Sequence, residues 1–167
     1  MCRFIQPRTE YFDFLNHLHN RYNRYLEDDY NKDTIAGIIS RTYPFFWVIT
    51  VNNSSQIPAG FVYLENITGN NEKLHGAEIT TCFHPDFWGD FPKYCAKIFL
   101  KQCFDKFGFQ KIKAVVYPHN CRVKMLLKSA GFKKEALLKS ETMKNGQLQD
   151  IEIYSVYKTD YEVKNEN

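Results

Sequence analysis

The run Ala77-Glu78-Ile79-Thr80-Thr81-Cys82-Phe83, broken by His84-Pro85-Asp86 and turned through Phe87-Trp88-Gly89-Asp90-Phe91-Pro92, decides how the rest of the chain is read. Its opening residues are apolar and β-branched enough for a strand. After the break, Tyr94, Cys95, Ile98, Phe99, Gln102, Cys103 and Phe107 recur at three- and four-residue spacing, with Lys93, Lys97 and Lys101 on a separate stripe. That spacing predicts a helix over 93–107. Pro92 suits the first turn, where its missing N–H costs nothing, and Gly108 is a stop signal. Ile112 to Tyr117 reads as the next strand, ended by Pro118-His119. Asn120 can then cap a second helix carrying Val123, Leu126, Leu127 and Ala130, closed by Gly131. The central unit is strand, loop, helix, strand, helix. A helix that opens after a short loop presents unpaired backbone N–H groups, and such an end favours an anion.

Working outward, Phe4-Ile5 is a candidate short strand before Pro7, and Phe14, Leu15, Leu18, Tyr22 and Tyr25 place a helix over 10–26 with Thr9 as a possible cap. His17 and His19, two apart on that helix, point in different directions and make a poor metal pair. A polar connection over 27–32 precedes a short helix with Ile35, Ile38 and Ile39, started at Asp33 or Thr34. Strands over 45–51 and 59–64 flank a turn at Asn52-Asn53-Ser54-Ser55, and Asn70-Asn71 leads into the central strand. Asn145-Gly146 between strand-like runs over 136–143 and 148–158 is a strong hairpin signal, because both turn residues need positive φ. Residues 1–160 read as one domain and 161–167 as a fraying polar tail. Three successive strands meeting the central unit predict a mixed α/β (α+β) sheet, antiparallel first and parallel later.

Composition bounds the function classes. At 167 residues, 44% apolar and 16% aromatic, the chain has the content of one globular domain. No apolar run approaches the roughly 20 residues that span a bilayer, and the first residues lack a signal-peptide core, so a soluble, cytoplasmic protein is expected. Five cysteines, Cys2, Cys82, Cys95, Cys103 and Cys121, show no C-x-x-C spacing, which favours free core thiols over disulfides or metal ligands. A net charge of +3 with dispersed lysines gives no reason to expect nucleic acid.

Ala77-Glu78-Ile79, Pro85-Asp86-Phe87-Trp88-Gly89, and Asn120 followed eleven residues later by Gly131-Phe132 resemble the GNAT superfamily of N-acetyltransferases. Within it they are most similar to the RimJ/RimL-like branch, whose run reads roughly A-E-I-G, then P-D-Y-W-G-K-G, then N-x-x-S with a terminal K-L-G-F. The similarity extends more weakly over 46–157. It implies a GNAT fold, a single mixed sheet of about six to seven strands flanked by helices, with a splay between the fourth and fifth strands. It also implies acetyl-CoA as co-substrate: the pantetheine arm on backbone near Cys82 and Phe83, the pyrophosphate on N–H groups around Gly89, Asp90, Phe91 and Lys93, and Asn120 facing the cofactor.

The same resemblance gives Glu78 the role of base toward a primary amine, the amine of a protein N-terminus, a lysine or a small molecule, and puts the region between the first two strands on the acceptor side. Tyr25, Asp28, Asp29 and Tyr30 are the candidates there, with a plain solvated turn as the other reading. Glu78 has a second possible role as a strand carboxylate facing solvent or a basic neighbour. The chain departs from the family loop Q/R-x-x-G-x-G/A at Asp90-Phe91-Pro92, where Phe91 is expected to crowd a phosphate, Pro92 removes a donor, and Asp90 adds a negative charge or caps the helix. Lys93 is a partial compensation. The leaving-group hydroxyl of the family is absent as well, since the matching positions are Val123 and Leu127. Tyr117, Ser129 and His119 are the possible substitutes. These departures support a second reading, a GNAT-fold binding or assembly protein without catalysis, for instance a bacteriophage component associated with the virion, with a protein partner or a homodimer possible.

Overall fold

The computed structural model describes residues 1–51, 56–70 and 72–165. Its strands are β1 (Cys2–Ile5), β2 (Phe46–Val51), β3 (Pro58–Gly69), β4 (Leu74–Phe83), β5 (Lys111–Val116), β6 (Lys133–Lys144) and β7 (Gln147–Tyr157). They form one sheet in the order β1-β2-β3-β4-β5-β7-β6, antiparallel throughout except for β4 and β5. The expected mixed sheet, antiparallel first and then parallel, is therefore present. The helices are α1 (Phe12–Leu26), α2 (Ile35–Thr42), α3 (Asp90–Lys101), α4 (Cys121–Ser129) and α5 (Lys158–Asn165). The turn expected at residues 52–55 lies outside the described residues, as does Asn71.

Period-two alternation in the central strands sorts the core into two layers. Phe46 and Val48 of β2, Phe61 and Tyr63 of β3, and Cys82 of β4 face Leu15, Leu18, Ile35 and Ile38 of α1 and α2. Their neighbours Trp47, Ile49, Val62, Leu64 and Phe83 face Phe99 and Leu100 of α3 and Leu127 of α4. Each layer is aromatic-rich: Phe46 stacks on Tyr63 at 5.8 Å, and Trp47 meets Phe99 edge-on at 5.2 Å. The cysteines are free, with Cys2, Cys82, Cys95 and Cys103 buried and Cys121 exposed.

Several boundaries differ from the periodicity reading. Helix α3 begins at Asp90 rather than residue 93, because Pro92 sits comfortably in its first turn, and after Lys101 it widens into a π-turn over Gln102–Lys106. The segment over 9–26 opens as a turn of 3-10 helix at Thr9–Tyr11 with no side-chain cap, so Thr9 does not cap. Thr34, by contrast, does cap α2, accepting from the Gly37 N–H. Of the tail expected to fray over 161–167, the described part as far as Asn165 belongs to α5, and the Tyr161 hydroxyl donates to the Lys97 carbonyl at 2.9 Å. The hairpin turn is as expected, with Asn145 at φ 50° and Gly146 at φ 71°.

Candidate active site

The pairing of β4 with β5 covers only Gly76↔Lys111, Ala77↔Ile112 and Glu78↔Lys113. Beyond that point β5 stays bound to β7 on its other side, as far as Val116↔Glu152, while β4 runs on to Phe83 with β3. The strands part after Glu78, so the β4 edge from Ile79 to Phe83 has no strand on the β5 side. Backbone polar groups on such an edge call for a partner. On the α3 and α4 face, Ile79, Thr81 and Phe83 line an apolar cavity of about 30 Å³ together with Ala96, Phe99 and Leu126.

Past Phe83 the chain makes one 3-10 turn, Pro85–Phe87, before α3. Gly89, the residue preceding α3, has φ 113° and ψ −124°, and no side chain caps the helix. A Cβ built at Gly89 would meet nothing within 4 Å. The space beside Gly89 is thus open, and no side chain takes up the first N–H groups of α3. Asp90 does not cap: its carboxylate pairs with Lys93 Nζ at 2.8 Å, which holds it below the ordinary carboxylate range. The same pair occupies Lys93. Phe91 does not lie across the opening, because its ring turns inward onto Phe87 at 5.7 Å and Phe83 at 6.3 Å and packs against the core. The crowding expected from Phe91 is therefore corrected: apolar burial draws the ring under the loop.

A feature not read from the sequence spans the mouth of the fork. Trp88, in the loop after β4, donates from Nε1 to the Phe83 carbonyl at 3.2 Å. Arg122, in the first turn of α4, lays its guanidinium 3.7 Å from the centre of the Trp88 ring, and Tyr22 of α1 packs at 6.1 Å from it. Arg122 is a cation across from the Gly89 loop. Nothing in the spacing signals it, since residues 88 and 122 are joined only by the crossover.

The catalytic candidates are placed as follows. Glu78 sits at the vertex of the fork, with Oε1 2.6 Å from Lys113 Nζ and Oε2 accepting from Asn66 Nδ2 at 2.9 Å. Asn120 Oδ1 accepts from the Val123 N–H at 3.5 Å and so caps α4. Cys82 faces the α1 and α2 layer, where burial pushes its thiol up to about 12, so only its backbone lies at the edge. Ser129 Oγ donates to the Leu126 carbonyl at 2.7 Å on the exposed side of α4. The Tyr117 hydroxyl donates to the Glu27 carbonyl at 3.0 Å, and burial, reinforced by Asp28 and Asp29, pushes it up to about 12. His19 is buried with Nε2 3.4 Å from Glu27 Oε1, while His17 is exposed, so the two do point apart. Among the described residues no group of three or more His, Cys, Asp and Glu side chains is placed to hold a metal ion.

A second cavity, about 260 Å³, lies where β5 ends, between the C-terminal turn of α1 and the β6-β7 hairpin. Arg24, Tyr25, Tyr117, His119, Lys144 and Asn145 line it, with Gln147 and Gln149 of β7. Asp28 and Asp29, the acidic candidates for holding an amine, are both occupied nearby. Asp28 accepts from the Tyr30 and Asn31 N–H groups and, at 2.6 Å, from Thr142 Oγ1. Asp29 accepts from Asn145 N and Gly146 N, each at 2.9 Å. These two carboxylates fasten the hairpin to the loop after α1. Tyr30 is exposed, and its hydroxyl lies 4.0 Å from the Met143 sulfur.

A mixed sheet that forks between a central parallel pair, with an open glycine before a helix N-terminus at the fork, defines the class of acyl-CoA-dependent acetyltransferase folds. The chain belongs to the acetyltransferase (GNAT) domain family, whose model matches residues 5–133. It is similar in structure to the spermidine N-acetyltransferase from Vibrio cholerae in complex with CoA and spermine, at TM-score 0.77 and 21% identity over 96% of this chain and 97% of that one. It is similar also to a GNAT-family acetyltransferase from Bacillus anthracis, at TM-score 0.76 and 14% identity over 93% and 94% of the two chains. No curated protein matches the chain by sequence. These likenesses reach the superfamily and do not single out the RimJ/RimL-like branch. No helix among the described residues is long and apolar enough to cross a membrane.

Proposed function

We propose that the chain transfers an acetyl group from acetyl-CoA to the primary amine of an acceptor that enters from the α1 side. The observation that carries this reading is the fork: an unpaired β4 edge from Ile79 to Phe83 leading to an uncapped helix N-terminus at Gly89. The residues present fit an acyl-CoA. A diphosphate is suited to the first N–H groups of α3, with Arg122 as the facing cation, and an extended amide arm suits the free strand edge. Were Arg122 to leave the Trp88 ring, its guanidinium would be the cation available to the diphosphate. When bound, the thioester supplies the electrophile: the acetyl carbon leaves sulfur for nitrogen, the amine loses a proton and the sulfur gains one.

Glu78 at the vertex is the carboxylate placed to take the amine's proton, directly or through water, with Lys113 and Asn66 fixing its position. No residue of this chain is assigned as proton donor to the sulfur. Tyr117 and Ser129 both spend their hydroxyl protons on carbonyls. Holding the amine against the thioester supplies much of the rate, since effective molarities of well-oriented groups reach about 10⁵ M or more.

A second reading, a GNAT-fold binding protein without turnover, is favoured by the full engagement of Glu78 and by Val123 and Leu127 at the hydroxyl positions. Calorimetry with acetyl-CoA, followed by thiol release in the presence of an amine panel, separates the two. The transferase reading expects binding that weakens about tenfold in Arg122→Ala, the loss of one charge-assisted contact, and turnover of at least one amine. Absence of heat at millimolar acetyl-CoA sinks it, and binding without turnover of any amine favours the second.

A further inference from the structure

Resting on the transferase reading, we propose that the acceptor is a small amine that also carries an anionic group, a carboxylate or a phosphate, received in the cavity between α1 and the β6-β7 hairpin. The cavity lining contains two cations, Arg24 and Lys144, and no carboxylate. Arg24 lies over the Tyr25 ring at 4.7 Å and has no acidic partner among the described residues, so its guanidinium is available to a ligand. Lys144, also in the lining, is held by the Glu27 carbonyl at 2.6 Å from Nζ, a neutral partner, and its charge is shared with the nearby Asp29.

The walls between these cations are flat and amphipathic: Tyr25 packs on His119 at 5.8 Å, and His119 stacks on Tyr117 at 5.5 Å. Asn145, Gln147 and Gln149 add amide donors. A polyamine needs the opposite lining, carboxylates spaced along a slot, since a cation facing another cation in a partly desolvated cleft is repelled. The acidic residues at this end, Asp28 and Asp29, are not part of the lining: Asp28 accepts from the Tyr30 and Asn31 N–H groups and the Thr142 hydroxyl, Asp29 from the Asn145 and Gly146 N–H groups, and their charge reaches the cavity through its effect on the Tyr117 hydroxyl and, from Asp29, on Lys144. Tyr117 lines the cavity and directly follows the last paired residue of β5, the strand whose Lys113 pairs with Glu78, so in this proposal the amine end of the ligand is the end nearer the fork.

The test is a titration of the full chain with phosphoethanolamine, γ-aminobutyrate and spermidine, followed by chemical shifts of Tyr25, Tyr117 and His119. At least one of the two anionic amines is expected to bind more tightly than spermidine, and whichever of them binds identifies phosphate or carboxylate as the group received. Arg24 is exposed, so its replacement leaves the fold intact: Arg24→Glu is expected to weaken the anionic amine about tenfold or more and to strengthen spermidine, with Arg24→Lys restoring most of the loss. Spermidine binding the unaltered chain as tightly as the better of the two anionic amines overturns the proposal, as does an affinity for that amine that Arg24→Glu does not change, or no binding of any of the three at millimolar concentration. Amide shifts of Gly89 and Asp90 on adding CoA read the transferase assignment separately. Their absence with the anionic amine still bound removes that assignment and leaves the cavity as a ligand site.

Discussion

Glu78 shows how a single side chain was readable in type but not in surroundings. Its position in the central strand marks it as a candidate base, yet the contact with Lys113 exists only because β4 and β5 are in register there. Glu78→Gln is expected to lower kcat about 100-fold or more with the acetyl-CoA Kd unchanged. An unaltered kcat removes Glu78 from catalysis and assigns it to the strand pair. Gly89 is the complementary case. Its φ of 113° is a conformation that side chains avoid, although space for a Cβ is open. Gly89→Ala is expected to cost about 1–3 kcal/mol in urea unfolding, and a value near zero means that the loop relaxes. The direction of the Phe91 ring is not legible in the sequence, because it depends on rings at Phe83 and Phe87 that the chain alone does not orient.

At the scale of elements, the β6-β7 hairpin and the loop after α1 act as one clamp. Asp29 takes both turn N–H groups, Asp28 takes the Thr142 hydroxyl, and Lys144 returns a bond to the Glu27 carbonyl. Asp29→Ala is expected to speed hydrogen exchange of the Asn145 and Gly146 amides and to raise the acceptor KM while leaving acetyl-CoA binding in place. Unchanged exchange at both amides means that the turn holds itself. The hairpin was legible from Asn145-Gly146, whereas its fastening to residues more than a hundred positions earlier was not, because no local rule pairs an acidic loop with a distant turn. Helix α3 was legible from its apolar spacing, and its true start differed because the Gly89 turn, a backbone event, fixes where the helix begins.

Across the whole molecule, the most strongly shifted carboxylates, Glu135 and Glu152, lie towards the sheet's far edge. Lys111 first, with Ser155 and Tyr157, holds Glu135 down to about 2, and Lys134 first, with Tyr154 and Lys124, does the same for Glu152. Carboxylates depressed on folding stabilise above their unfolded value, here the ordinary 4.5, and lose that contribution as pH falls toward about 2. The urea midpoint is expected to be level from neutral pH to about pH 5 and to fall between about 4.5 and 2, with the fall reduced in Glu152→Gln. A midpoint unchanged at pH 3 contradicts the assignment. The sequence alone determined the strand-loop-helix unit, the mixed sheet, the hairpin and the family, because period and turn chemistry are local and each element's apolar face demands a partner. Tertiary structure alone decided where β4 leaves β5, that Arg122 meets Trp88, and that Arg24 and Lys144 share a cavity whose lining has no carboxylate. Those are contacts between residues far apart in the chain, and which of them form depends on how the packed layers bring the elements together.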